Sequence, residues 1–114
     1  MWATLFLGWP GGAWTPPTPD SLLHLTKHVP ENVNWNVSVM NSRQQWRLLA
    51  LALATGGHVR VGWEDNPYLP DGRPSRSNAE LVDEVVKLAH LMGREPATAA
   101  EAREIIGLPA RQPK

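Results

Sequence analysis

Short apolar runs alternate along the chain with longer stretches in which apolar positions recur every three to four residues. The short runs cover residues 3–8 (ATLFLG), 35–40 (WNVSVM) and 58–63 (HVRVGW). In the second run, Trp35, Val37 and Val39 alternate with polar or flexible neighbours. Short runs of this kind that end near glycine or proline are typical of β-strands. The pattern therefore predicts three strands.

The stretches between and after these runs predict four helices. The first begins at 19–21 and passes through Leu25, and the second covers about 43–55. Ser77 with Glu80, and Thr98 with Glu101, have the spacing of a capping box at the start of the last two. The predicted order is β–α–β–α–β–α–α. Strands that alternate with helices indicate an α/β fold, with a parallel sheet covered by helices.

Chain length limits what this pattern can form. The 114 residues suffice for one small domain. A complete (β/α)8 barrel needs about 250 residues, so the chain is too short to form one alone. Three parallel strands also leave two open edges, which folded proteins normally protect. We therefore expect either association with a missing part of a larger structure or self-association.

Charge and cysteine content exclude several classes of function. Eleven basic and eleven acidic side chains give a net charge of zero, so we expect no nucleic-acid partner and no membrane partner. The absence of cysteine excludes disulfides and thiolate catalysis and fits a cytoplasmic protein. The opening apolar run is too short to span a bilayer, and no basic residue precedes it.

The densest cluster of polar and charged residues, 58–66 (HVRVGWEDN), covers the third predicted strand and the residues just after it. In α/β proteins, the carboxyl ends of strands carry the active site. Glu64 or Asp65 could bind a metal or act as a base. If the strand stays regular, Arg60, Gly62 and Glu64 share one face. The alternative is a solvated, salt-bridged start of a loop.

Two other groups of residues could contribute to a site. His24 and His28 lie four residues apart on a predicted helix, a spacing that can chelate zinc. The alternative is an amphipathic helix with two exposed histidines. Trp9, Trp14 and Trp63 fall near predicted strand ends and could line a pocket.

Two segments carry a resemblance to a known family. Residues 56–68 (GGHVRVGWEDNPY) and 77–82 (SNAELV) resemble the β-keto acid cleavage enzymes. The likeness extends over about residues 2–108. It implies that residues 1–108 are the C-terminal three βα units of a (β/α)8 barrel and that 109–114 form a polar tail.

The resemblance also implies a reaction and a site. Members of the family use a divalent metal, usually zinc, to convert a β-keto acid and acetyl-CoA into acetoacetate and a new acyl-CoA. Glu64 matches a metal ligand of the family, and Arg60 and Asp65 match its catalytic pair. The family's His-x-His metal ligands have no counterpart in the chain. We therefore expect the isolated chain to be inactive and to lack zinc.

Three interpretations remain open at this point. The chain could be the C-terminal part of an enzyme that is active only with the missing half. That half would be a separate polypeptide, or this chain would come from a truncated or split reading frame. It could instead be a non-catalytic remnant. It could also be a small α/β interaction module in which Arg60 and Glu64 form a structural pair. Within the resemblance, Asn41 stands where many members have glycine.

Overall fold

Seven elements follow one another in a computed structural model that describes residues 1–11 and 15–114. They are β1 (Trp2–Leu7), α1 (Pro19–Thr26), β2 (Asn34–Val39), α2 (Gln45–Ala54), β3 (His58–Val59), α3 (Asn78–Leu91) and α4 (Ala99–Ile106). The predicted order of elements is confirmed. Trp14, which was predicted to line a pocket, lies outside the described residues.

The three strands form one parallel sheet in the order β1-β2-β3. Leu5 pairs with Val37, which pairs with Val59 on its other side. Within the described residues, β1 and β3 each have one neighbouring strand, so both outer edges of the sheet are open. The predicted parallel α/β arrangement with two open edges is confirmed, and the sheet does not by itself form a barrel.

One face of the sheet forms the hydrophobic core. Leu7, Val37 and Val39 project from it and are almost completely buried. They pack against Leu22 of α1 and against the buried residues of α2, which are Leu48, Leu49 and Ala52. Complete burial of a leucine or valine side chain stabilises the fold by about 1.5–3 kcal/mol. This cluster therefore holds α1 and α2 on one side of the sheet.

The opposite face of the sheet is mainly polar, apart from two aromatic side chains of β1. Register and strand alternation place Thr4, Asn36 and His58 side by side on it. Asn36 is buried, and its Oδ1 accepts hydrogen bonds from Trp2 Nε1 at 2.7 Å and Thr4 Oγ1 at 2.9 Å. These bonds satisfy a polar side chain that would otherwise be costly to bury. The same face continues toward Arg60.

The third strand is shorter than predicted, because the pairing stops at Val59 rather than at residue 63. The Arg60 amide still donates to the carbonyl of Val37 at 3.0 Å. In a regular parallel ladder the next donor, to the carbonyl of Val39, would be the amide of Gly62. Asn66 Nδ2 donates to that carbonyl instead, at 3.1 Å. A side chain therefore replaces the backbone where the ladder ends.

The helix starts agree with their predicted caps, with one correction. Thr98 and Glu101 form the complete capping box predicted for α4. Ser77 accepts a hydrogen bond from the amide of Glu80, as predicted for α3. The Glu80 carboxylate, however, accepts from the amide of Arg76, at 2.7 Å, and not from Ser77. It also accepts from Arg73 Nη2, so it ties the preceding loop to the helix.

Candidate active site

The candidate site lies in a tight turn at the carboxyl edge of the sheet, just after β3. The carbonyl of Gly62 accepts hydrogen bonds from the amides of Asp65 and Asn66, at 3.1 and 3.0 Å. This turn reverses the chain immediately after the strand. It places the side chains of residues 64 and 65 at the edge where α/β enzymes bind their substrates.

Arg60 and Asp65, both predicted as site residues, form an ion pair across this turn. Arg60 Nη2 lies 3.1 Å from Asp65 Oδ2. The Asp65 side chain is 15% exposed, whereas that of Arg60 is 46% exposed. Oδ2 itself is buried and accepts no aligned hydrogen bond within the described residues, so the guanidinium acts on it mainly through its charge. One carboxylate oxygen is thus left with unused hydrogen-bonding capacity.

The Arg60 guanidinium also lies near an aromatic ring on the polar face. Its Cζ is 5.9 Å from the centroid of the Phe6 ring, which belongs to β1. At this distance the ring weakly stabilises a cation. Phe6 pairs with Ser38 in the sheet, so Arg60 extends across the middle strand toward the first. The positive charge of the site therefore lies over the polar face.

Glu64, the predicted metal ligand, is exposed, and its carboxylate folds back over Gly62. A Cβ at Gly62 would stand 2.8 Å from the Glu64 Cδ atom. The expectation that Arg60, Gly62 and Glu64 share a face rested on a regular strand, and that premise is wrong. The turn nevertheless brings the carboxylate back to the side on which a residue-62 side chain would project.

One carboxylate does not make a metal site. Among residues 1–11 and 15–114, no three histidine, cysteine, aspartate or glutamate side chains are grouped so that they could hold a metal ion. A catalytic zinc site normally takes about three protein ligands, and a carboxylate oxygen is an acceptable one. Glu64 therefore suits the role of a single ligand whose partners would have to come from elsewhere.

Two buried amides hold the loop after the site: Asn66 belongs to the predicted polar cluster, whereas Gln45 was not predicted to contribute. Asn66, in the polar cluster, is completely buried and makes no contact with solvent. Farther along, the carbonyl of Tyr68 accepts hydrogen bonds from Gln45 Nε2 at 3.3 Å and Trp46 Nε1 at 2.8 Å. An asparagine directly after two carboxylates was the available signal, but the sequence does not show that its side chain faces inward.

The other predicted candidates lie apart from this turn or remain open to solvent. His24 lies in the last turn of α1, but His28 lies beyond its end at Thr26, so the two are not on one helix as predicted. Both are exposed, with ring centroids 4.8 Å apart. Trp9 and Trp63 are 47% and 54% exposed. The Trp63 indole N–H is fixed by the carbonyl of Ser75, at 3.1 Å.

His58 begins β3 and so lies at the amino edge of the sheet, away from the candidate site. Its ring stacks on that of Trp2, with centroids 5.0 Å apart. Burial lowers the pKa of His58 below its usual 6.5, and the nearby Arg94 guanidinium lowers it further. Arg94 is itself fixed, since its Nη1 donates to the carbonyls of Leu53 and Gly57. The contacts of His58 with Trp2 and Arg94 therefore bear on the stability of the fold and not on the candidate site.

A parallel α/β unit with a charged turn at the carboxyl edge of its sheet defines the class of this protein. Sequence comparison gives the family, because residues 1–108 match the family described as beta-keto acid cleavage enzyme. The chain belongs to that family. The resemblance seen in the sequence is thereby confirmed.

Individual relatives agree with this assignment. The 3-keto-5-aminohexanoate cleavage enzyme of Acetoanaerobium sticklandii is 50% identical over 91 residues, which are 80% of this chain and 33% of the relative. The enzyme of the same name from Fusobacterium nucleatum is 47% identical over 76% of this chain and 32% of its own length. A 3-oxoadipate:acetyl-CoA acetyltransferase of Cupriavidus necator is 34% identical over 79% of this chain and 31% of its own length.

The chain spans about a third of the length of these curated relatives. Within the described residues, none of the helices has the length and apolar character needed to cross a membrane.

Proposed function

We propose that residues 1–108 are the C-terminal three βα units of a (β/α)8 barrel that cleaves β-keto acids, with 109–114 as a polar tail. Family membership and the one-third coverage of the relatives support a partial barrel. So does the sheet, since its strands are parallel and joined through helices. In a closed barrel the helix-covered face would lie outside and the polar face, with Asn36 and Arg60, would line the interior.

The free edge of β3 supports the same proposal. A groove of about 340 Å³ runs beside it and is lined in part by Val59 of the strand and by Val82, Val85 and Val86 of α3. Val82 is 49% exposed, whereas valine is among the residues most often buried. The next strand and helix of a barrel would cover these valines. We expect the missing units to dock at this edge and at the free edge of β1.

The proposed reaction exchanges acyl groups between two substrates. The acyl group of the β-keto acid passes to the sulfur of CoA, and the acetyl group of acetyl-CoA passes to the remaining two-carbon acid fragment. The products are an acyl-CoA and acetoacetate, so no oxidant or reductant is needed. Acetyl-CoA is part of the name of the acetyltransferase relative, which supports its place as co-substrate. The particular β-keto acid would depend on the missing units.

The ion pair of Arg60 and Asp65 beside the exposed Glu64 carboxylate is the observation that carries this proposal. Glu64 would supply one ligand to a divalent metal, taken to be zinc, which as a Lewis acid would polarise the keto carbonyl. Arg60 would offer its charge to an anionic substrate group. Together with Asp65, whose Oδ2 has unused capacity, it would help to activate the nucleophilic partner.

We further propose that the isolated chain is inactive, since it holds one metal ligand. We also propose that the assembled enzyme works in the cytoplasm, in keeping with a chain without cysteine. Neither nucleic acid nor a membrane has a part in this proposal. The remaining barrel units would belong to a longer form of this chain or to a second polypeptide. Self-association through the open edges is the alternative when those units are absent.

Complementation tests the proposed function. The part of the A. sticklandii relative outside the match is co-expressed with this chain, and acetoacetate formation is measured from 3-keto-5-aminohexanoate and acetyl-CoA. We expect turnover only with both parts, and its loss by at least about 100-fold in Glu64→Gln and Arg60→Met. Lys87→Gln, at an exposed position that does not line the groove beside β3, serves as the control and should keep full turnover. A stable complex without turnover would contradict the proposal and favour a non-catalytic remnant.

A further inference from the structure

Asn66 joins the candidate turn to the loop that follows β2. Its Nδ2 atom donates to the carbonyl of Val39, the last residue of β2, at 3.1 Å and to that of Ser42, in the loop, at 2.7 Å. Its Oδ1 accepts from the amide of Tyr68 at 3.4 Å. Both hydrogens of the amide and its oxygen are thus used, and the residue is 0% exposed.

A second bond joins the same two loops one residue earlier. The amide of Asn41 donates to the carbonyl of Asp65, at 3.1 Å. Asn41 has φ of +49°, in the left-handed region that residues other than glycine seldom adopt. The loop after β2 thus holds a left-handed backbone conformation, which asparagine adopts more readily than other non-glycine residues, at the point where its N–H meets Asp65.

From these contacts we infer that Asn66 is the positioning residue of the site: it fixes the turn so that Asp65 stands against Arg60 before any other part of a barrel docks. The inference rests on the proposed function for its catalytic meaning, but not for its geometry. By taking the carbonyl of Val39, Asn66 ends the β2–β3 ladder two residues after the last strand pair. The chain can then turn at Gly62 rather than continue as strand.

This role differs from that of an ordinary buried amide. Gln45 is equally buried, and it donates to the carbonyl of Tyr68, in the loop that carries Asn66. That carbonyl has a second donor, Trp46, at the shorter distance of 2.8 Å. The carbonyl of Ser42 likewise has a second donor, the backbone amide of Gln45 at 3.2 Å, but at the carbonyl of Val39 the Asn66 amide takes the place of the next backbone donor of the ladder. Removing the amide of Gln45 should therefore leave the turn intact, which makes it a matched control.

Hydrogen exchange of the isolated chain tests the geometry. In Asn66→Ala we expect the amides of Asn41 and Asp65 to lose protection by at least about tenfold, while those of the β1–β2 ladder keep theirs. Gln45→Met should change neither group. Unchanged protection at Asn41 and Asp65 would overturn the inference. So would an equal loss across the whole sheet, because Asn66 would then be a general stability residue.

The complemented enzyme tests the catalytic meaning separately. In Asn66→Ala, kcat should fall by at least about tenfold with KM for the keto acid changed less than threefold, because the substrate groups remain and only their alignment is lost. Asn66→Gln, which retains an amide, should regain part of the rate, and Gln45→Met should match the unaltered chain. A rise in KM with kcat unchanged would overturn the inference. If the unaltered complex shows no turnover, the proposed function fails, and the exchange result alone decides the positioning role.

Discussion

The guanidinium of Arg60 lies 3.1 Å from a buried carboxylate oxygen of Asp65, across a turn that begins at Gly62. Arg60 is almost half exposed, so water screens its charge, whereas Asp65 is largely covered. The pair therefore combines a solvent-accessible cation with a carboxylate that depends on it. This asymmetry suits a site in which the arginine meets substrate while the aspartate stays in place.

Removing the cation should destabilise the chain. In Arg60→Met we expect the free energy of unfolding at pH 7 to fall by about 1 kcal/mol, less than for a fully buried pair because Arg60 is screened. Adding Asp65→Asn should recover part of the loss, since an unpaired neutral amide is cheaper to bury than a charge. Urea unfolding midpoints measure both effects. As a control, Lys87→Met breaks an exposed pair with Glu84 and should lower the free energy of unfolding by less than about 0.5 kcal/mol. A decrease equal to that of Arg60→Met would contradict this account.

Asn41 should tolerate glycine better than any branched residue. Its positive φ favours glycine, which has no Cβ to clash in the left-handed region. We expect Asn41→Gly to change the free energy of unfolding by less than about 0.5 kcal/mol, and Asn41→Val to lower it by about 1–2 kcal/mol. Because Asn41 is exposed, the variants differ little in buried surface area, and the comparison reports the backbone conformation. Equal stability of the glycine and valine variants would show that the left-handed conformation is not required.

His58 should make the stability of the chain depend on pH. Since its pKa is lowered in the folded state, the unfolded chain binds the proton first as the pH falls through 6.5. The histidine's contribution is therefore fully present above that value and is lost at lower pH. We expect the urea midpoint of unfolding to be lower at pH 5.5 than at pH 7.5. The decrease should be smaller in His58→Phe, which keeps a ring against Trp2. Parallel pH curves for the two proteins would refute the effect.

Gly62 allows a test of the Glu64 carboxylate without damage to the core. A methyl group at residue 62 would meet the end of a flexible side chain, so Gly62→Ala should leave the free energy of unfolding within about 0.5 kcal/mol. It should displace the carboxylate, however. In the complemented enzyme we expect weaker zinc retention, measured by titration with a chelator. Full zinc affinity in Gly62→Ala would mean that the position of the carboxylate over Gly62 has no part in metal binding.

The sequence predicted the order of the elements well because it depends on local patterns. Alternating apolar residues and capping side chains determine secondary structure over a few residues. The strand position of Val37 and Val39 and the capping role of Thr98 could therefore be predicted without knowledge of the fold. The end of β3 could not be predicted in this way, because it depends on a hydrogen bond from Asn66 to a carbonyl of another strand. The Arg60–Asp65 pair depends on the same turn. The residues of the site were thus visible in the sequence, but the side-chain contact that arranges them was not.

Metal content and mass of the purified chain test the central claim most directly. The chain is purified alone and after co-expression with the rest of the A. sticklandii relative, and zinc is measured per complex for the unaltered chain and for Glu64→Gln. The account predicts no retained zinc in the chain alone, about one zinc per heteromeric complex, and its loss in Glu64→Gln. Stoichiometric zinc in the isolated chain, or a zinc-loaded complex indifferent to Glu64→Gln, would contradict it.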